Sequence, residues 1–326
     1  MNTIEVPGTC PLCRRELYST RVHAFDLLVT GDGPFGVFEC RSCRYGVTDP
    51  QLRGAELERY YGAGYCEGYC GYAERAPVGL LDRARARFGS YAARRRFSRA
   101  PFAVPGVAPG RVLDVGCGSG ELLAHYAGRG WQTFGIDPAE SAASAARRRG
   151  ANVHVGTLLD QPWPPGSFEL ITFSHSLEHI PEPLDALRAA RDLLVPNGLI
   201  AITLPNWCSW QRRFLFGDRW CHLDLPRHLQ HFSPRALAVA AAALELDELA
   251  IGTTSTFVSV AYSLHYVIAG RWTPGRKLWL SYALAAALFA PLWALNALWG
   301  GDCCRALLRR PGDAAEPVTP ASAATL

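Results

Sequence analysis

Between residues 110 and 206, short apolar runs alternate with stretches in which apolar side chains recur every three or four positions. The runs have the length and bounding turns of buried strands, and the recurring pattern is that of helices with one buried face. Val112–Val115, WQTFGID ending at Asp137, VHVGT, FELITFS and LLVPNGLIAITLPN supply five strands, with one helix starting near Glu121 and another over 139–149. Strand and helix in alternation predict a parallel sheet flanked by helices.

Outside that region the pattern changes. Residues 1–50 carry paired cysteines, aromatics and turn residues. Residues 51–109 hold a Tyr/Gly/Cys stretch, an arginine-rich helical segment from Arg83 to Arg99 and the linker PFAVPGVAPG. Residues 110–250 are the strand–helix domain, 251–310 an apolar helical segment, and 311–326 a polar tail whose composition predicts disorder. The run from Leu278 to Trp299 has no charge and exceeds the about 20 residues that cross a bilayer. Pro291 and Asn296 argue against a plain span, and Trp279, Trp293 and Trp299 suit a membrane interface, so interfacial association is expected ahead of a packed cap.

Composition narrows the reading. The formal charge of +4 over 326 residues does not call for nucleic acid. The first residues are too polar for a signal peptide, so the eleven cysteines are expected reduced and the chain cytoplasmic, at the inner face of the plasma membrane.

The first strand ends in a turn carrying Gly116, Cys117, Gly118 and Gly120. A dinucleotide fingerprint needs a third glycine where this chain has Glu121, and a carboxylate opposes a pyrophosphate at a helix N-terminus. A ligand without phosphates fits, namely S-adenosylmethionine (SAM), whose charged amino-acid end Asp114 would favour through space or through water. Asp137, followed by Pro138, would accept both ribose hydroxyls. Gly156, Thr157 and Leu158 would lie beside the adenine, and Ser174 and His175 would reach the same edge, because ligands of open α/β sheets bind at the carboxyl ends of strands.

LDVGCGSG, GIDPAE, FSHSLEHIPEPLDALR, LLVPNGLIAITLPN and DLPRHLQHFSP resemble the class I SAM-dependent methyltransferases. More narrowly they are similar to a bacterial group with an N-terminal zinc ribbon, associated with cell-surface glycan or lipid pathways. The resemblance runs from Cys10 to about Arg310. It implies a Rossmann-like seven-stranded sheet and methyl transfer from SAM, and it leaves the acceptor open.

For a hydroxyl acceptor a general base is useful, and histidine has a suitable pKa. Five of the nine histidines are candidates by position: His175, His179, His222, His228 and His231. His228 is the leading base, with His231 and His175 behind it. Arg227 would bind a carboxylate or phosphate of the acceptor, unless it pairs with Asp224. No Asn/Asp-Pro-Pro-Tyr stretch follows the fourth strand, which disfavours methylation of nucleobase nitrogen.

Cys10, Cys13, Cys40 and Cys43 form two C-x-x-C pairs, the ligand set of a closed structural zinc site. Cys66 and Cys70 read as ordinary thiols, and Cys303 and Cys304 as weak candidates for acylation. The expectation is therefore O-methylation of a small molecule, sugar or lipid-linked glycan, with membrane contact and without nucleic acid. The rivals are an RNA methyltransferase gripping RNA by its ribbon, and a membrane-tethered module that only senses SAM.

Overall fold

The structure is a computed structural model that describes residues 3–4, 8–61, 107–255, 257–273 and 276–312. The arginine-rich segment, Cys66, Cys70, the 101–106 part of the linker and residues 313–326 of the tail lie outside them.

The N-terminal module is built on two knuckles. Arg14 and Arg44, each directly after the second cysteine of its pair, both take a left-handed backbone, with φ of 60° and 62°. That conformation folds Cys10–Cys13 and Cys40–Cys43 back on themselves, with the amides of Arg14 and Arg44 donating to the carbonyls of Cys10 and Cys40 at 2.9 and 2.8 Å. Around them run β1 (Thr3–Ile4), β2 (Leu17–Ser19), β3 (Gly36–Cys40), β4 (Gly46–Asp49) and β5 (Gln51–Leu52), followed by the short helix α1 (Ala55–Glu58).

The strand–helix domain contributes β6 (Arg111–Val115), α2 (Glu121–Ala127), β7 (Gln132–Asp137), α3 (Glu140–Arg148), β8 (Asn152–Val155), β9 (Phe168–Ser174), α4 (Pro183–Leu193) and β10 (Leu194–Pro205). The helices show why they form. In α4, Pro183 opens the helix, where its missing N–H costs nothing, and Pro183, Ala186, Leu187, Ala190 and Leu193 form the buried stripe. β11 (Gln230–His231), α5 (Pro234–Ala243), β12 (Asp247–Thr254), α6 (Phe257–Ala269), α7 (Arg276–Trp299) and β13 (Cys303–Arg309) complete the chain.

The main sheet has seven strands in the order β12-β13-β10-β9-β6-β7-β8. β10, β9, β6, β7 and β8 are mutually parallel, whereas β13 runs antiparallel to both β10 and β12. Chain order reverses between β6 and β9, so the carboxyl ends of β6 and β9 flank the crevice in which such sheets bind ligands.

Two expectations for the C-terminal third need correction. The domain does not end at 250, and 251–310 is not a tail beyond it: the segment opens inside β12 and closes with β13, inserted between β12 and β10. Its burial alternates along CCRALLR, the pattern of a half-covered strand, but the neighbouring apolar run masks that signal in composition. Cys303 and Cys304 are fully buried in β13, which removes them as acylation sites.

α6 and α7 are a helical insertion between two strands. One face packs on the domain through Val260, Ala261, Ala285 and Leu292, against Trp207, Trp210 and Trp220. The other leaves Leu280, Leu284 and Leu288 of α7 exposed at i, i+4 and i+8. Among the described residues no helix is long and apolar enough to cross a membrane.

Candidate active site

The glycine turn is closed by contact. A Cβ at Gly116, where φ is +72°, would fall 2.6 Å from Cβ of Ser176, so only glycine lets the turn approach the loop after β9. A Cβ at Gly120 (φ +78°) would strike Ala146 of α3 at 2.8 Å, so this glycine sets how closely the turn packs on the next helix. Gly118 donates its amide to Oδ2 of Asp137 at 2.9 Å, and Ala139 donates to Oδ1 at 2.9 Å. Both oxygens of Asp137 are thus held in place, and each keeps a lone pair for a ribose hydroxyl. Burial raises the Asp137 pKa, while the two amides pull it back.

Asp114 lies beneath the turn rather than on its surface. It is 2% exposed and accepts from Thr172 Oγ1 at 2.7 Å. Burial pushes its carboxyl up to about 7, so a nearby cation would draw out the charged form. The Cys117 thiol packs inward under Gly135, which leaves its backbone for the ligand side. Pro138 is exposed just past Asp137. Gly156 donates to the Asp137 carbonyl at 3.1 Å, Thr157 takes Asp160 Oδ1 on its amide at 2.7 Å, and Leu158 is buried. Ser174 ends β9 and His175 follows it, in the loop that Gly116 of the turn approaches, so these groups share one edge of the sheet. These residues fit SAM: Asp137 would hold the ribose, the glycine turn would allow close approach, and Asp114 would favour the positive charge.

His175 stands in a left-handed backbone (φ 55°), its amide donating to Thr203 O at 2.8 Å. Its Nδ1 is 3.5 Å from Oε1 of Glu178, a contact that becomes an ion pair when the imidazole is protonated. Glu178 is buried, yet its carboxyl is held down at about 2. Burial alone would raise it, and the His175 contact with the charges of His228, His175 and His179 outweighs that. Glu178 is not among the candidates read from the sequence. Its signal was its place three residues after His175.

The leading base of the sequence reading is placed differently. His228 is 6% exposed, its Nδ1 contacts His222 O at 2.9 Å, and burial with the charge of His179 lowers it to about 4. His231 is not in a helix with His228. It lies in β11, which pairs antiparallel with β4, its Nε2 2.9 Å from Thr48 Oγ1 and its ring tilted against Trp207. Arg227 is fully buried and donates to Asp224 at 2.6 Å and Asp26 at 2.8 Å, so it is an internal ion-pair centre and not an acceptor clamp. The block LDLPRHLQHFSP is the seam to the ribbon. Thr48 donates to His228 O, Gln51 to Leu229 O, and Ser233, which caps α5, donates to Cys43 O.

The four ribbon thiols converge, with Sγ–Sγ distances of 3.5 Å (Cys10–Cys43), 3.4 Å (Cys13–Cys40) and 3.6 Å (Cys13–Cys43). A tetrahedral zinc with Zn–S of about 2.3 Å needs edges of about 3.8 Å, so the cluster fits such an ion.

The methyltransferase-domain family model matches residues 83–249. The ubiquinone biosynthesis O-methyltransferase of Idiomarina loihiensis is 31% identical over 155 residues, covering 43% of this chain and 63% of that protein. That of Pseudomonas aeruginosa (strain LESB58) is 33% identical over 108 residues, covering 31% of this chain and 47% of the relative. That of Bordetella bronchiseptica is 32% identical over 171 residues, covering 47% and 69%. Among solved structures, a SAM-dependent methyltransferase from Archaeoglobus fulgidus is similar with a TM-score of 0.48 at 18% identity, over 71% of this chain and 100% of that one. The seven-stranded, mainly parallel sheet agrees with the family match, and the chain belongs to the methyltransferase-domain family, in its class I, SAM-dependent branch.

Proposed function

We propose that the protein transfers the methyl group of SAM to a hydroxyl oxygen of a small-molecule acceptor, with His175 as general base. The observation that carries this is His175 at the carboxyl end of β9, beside the glycine turn and backed by the buried, ionised Glu178. SAM, when bound, supplies the electrophilic methyl. Asp137 holds the ribose, and the turn at Gly116–Gly120 lets backbone approach the ligand. His175 keeps Nδ1 toward Glu178, so Nε2 on the opposite side of the ring takes the hydroxyl proton. The nearby Glu178 carboxylate favours the proton on Nδ1 and stabilises the imidazolium that forms. The names of the curated relatives support oxygen as the acceptor atom.

In the same reading, the four cysteines hold one structural zinc and lock the ribbon to the domain. The exposed Leu280, Leu284 and Leu288, with Phe214 at 83% exposure beside the exposed Arg213, suit an anionic membrane surface. An acceptor such as a lipid-linked glycan would be met there. A ribbon that grips RNA fits less well, because β4 is already paired to β3 and β11.

The test is transfer of labelled methyl from SAM by the purified full chain into a cell extract separated into lipid, glycan, RNA and protein, with Asp137→Ala as blank. Label in lipid or glycan supports the reading. Label in RNA overturns it.

A further inference from the structure

We propose that His222, Asp302 and Cys303 form a second metal site, for a single transition-metal ion of the zinc class, apart from the four ribbon cysteines. The ligands come from two places in the chain, His222 in one and the adjacent Asp302 and Cys303 in the other. His222 lies in the 3-10 turn Cys221–Leu223, Asp302 closes the helical insertion, and Cys303 opens β13. Their ligand atoms all lie within 4.8 Å of one another. His222 Nε2 is 3.4 Å from Asp302 Oδ2 and 3.7 Å from Cys303 Sγ. A tetrahedral zinc with bonds of about 2.0–2.1 Å to N and O and about 2.3 Å to S requires edges of about 3.4 and about 3.6 Å between those atoms. Both edges to His222 match those of ligands around such an ion.

The ligand chemistry selects the class. A thiolate, an imidazole and a carboxylate together favour zinc over magnesium or calcium, which take oxygen. Asp302 and Cys303 are fully buried, and His222 shows 14% of its side chain. Each ligand is also held from behind. Ser259 donates to Asp302 Oδ2, the Asp302 carbonyl accepts from Asn206 at 2.8 Å, and the His222 ring meets Trp220 edge-on at 5.3 Å. Cys303 is fixed by pairing with Pro205 and Thr254 on either side. Such supporting contacts are what orient metal ligands.

Three protein ligands leave one tetrahedral corner open, the pattern of a site that binds a further molecule. The His175 ring lies parallel to that of His222, with centroids 6.0 Å apart and planes at 11°. The ion would therefore sit next to the proposed base, a placement whose meaning rests on the methyl-transfer reading, whereas the metal itself does not.

The experiment uses the full chain, stripped with a chelator, reloaded with Zn(II) or Co(II) and freed of excess metal. Metal content and the sulfur-to-cobalt charge-transfer band are measured for the wild type, Cys303→Ser and His222→Asn. The proposal expects each variant to carry one metal equivalent fewer than the wild type, and Cys303→Ser to lose part of the band. Zinc X-ray absorption of the wild type gives a reading that needs no variant, with a mixed sulfur and nitrogen/oxygen shell expected. Unchanged metal content in both variants, or an all-sulfur shell in the wild type, overturns it. Neither readout involves methyl transfer, so failure here and failure of the proposed activity are distinguishable.

Discussion

Arg227 of the methyltransferase domain and Asp26 of the ribbon meet at 2.8 Å with side-chain exposures of 1% and 0%. Asp224 completes the pair from the other side at 2.6 Å. Removing the guanidinium leaves two buried carboxylates uncompensated. Arg227→Ala is expected to lose about 3–5 kcal/mol of stability, measured by urea unfolding. A variant of unchanged stability with a raised KM would instead return Arg227 to acceptor binding.

The same centre sets a pH dependence. Burial pushes Asp26 and Asp224 up, but Arg227 overcomes it and both fall below their ordinary values. Carboxyls with depressed folded pKa values stabilise above the unfolded value near 3.8 and lose that contribution as pH falls through the folded pKa. Wild-type stability is expected to drop below about pH 4, and Arg227→Ala to show a smaller drop in unfolding midpoints across that range.

Asp114 has the opposite sign. Its folded pKa of about 7 lies above the unfolded 3.8, so its burial opposes folding increasingly as pH rises between those values. Asp114→Asn keeps an acceptor for Thr172 and should gain melting temperature over the wild type from pH 5 to pH 8 without ligand. A difference independent of pH would show that Asp114 does not titrate there.

His231 separates seam from chemistry. His231→Ala removes the contact with Thr48 and is expected to cost about 1–3 kcal/mol of stability while leaving kcat of the folded fraction within a few-fold. A loss of kcat by a hundredfold in a fully folded variant would make His231 a catalytic residue.

Much of this was legible in the chain and some was not, for identifiable reasons. The glycine turn and Asp137 were readable because G-x-G-x-G and an acid ending the next strand are local signals. β13 was hidden because a seven-residue strand beside a long uncharged run contributes little to composition. His228, His231 and Arg227 were read as chemistry because polar residues in a dense block suggest a site. Their partners, Asp26 and Thr48, lie far upstream in the ribbon, and nothing local announces a seam between segments that distant. Cys10, Cys13, Cys40 and Cys43 form the cluster their spacing predicted.

The central claim is that His175, oriented by Glu178, takes the acceptor proton. Its most direct test is a comparison of His175→Ala and Glu178→Gln with the wild type, measuring SAM affinity by calorimetry and methyl transfer to the acceptor fraction identified with labelled SAM. The account predicts unchanged SAM affinity in both variants, a kcat lower by about 10²–10⁴-fold in His175→Ala, and a smaller loss in Glu178→Gln with an altered pH profile. Full transfer by His175→Ala, with the methyl still arriving on oxygen, would contradict it.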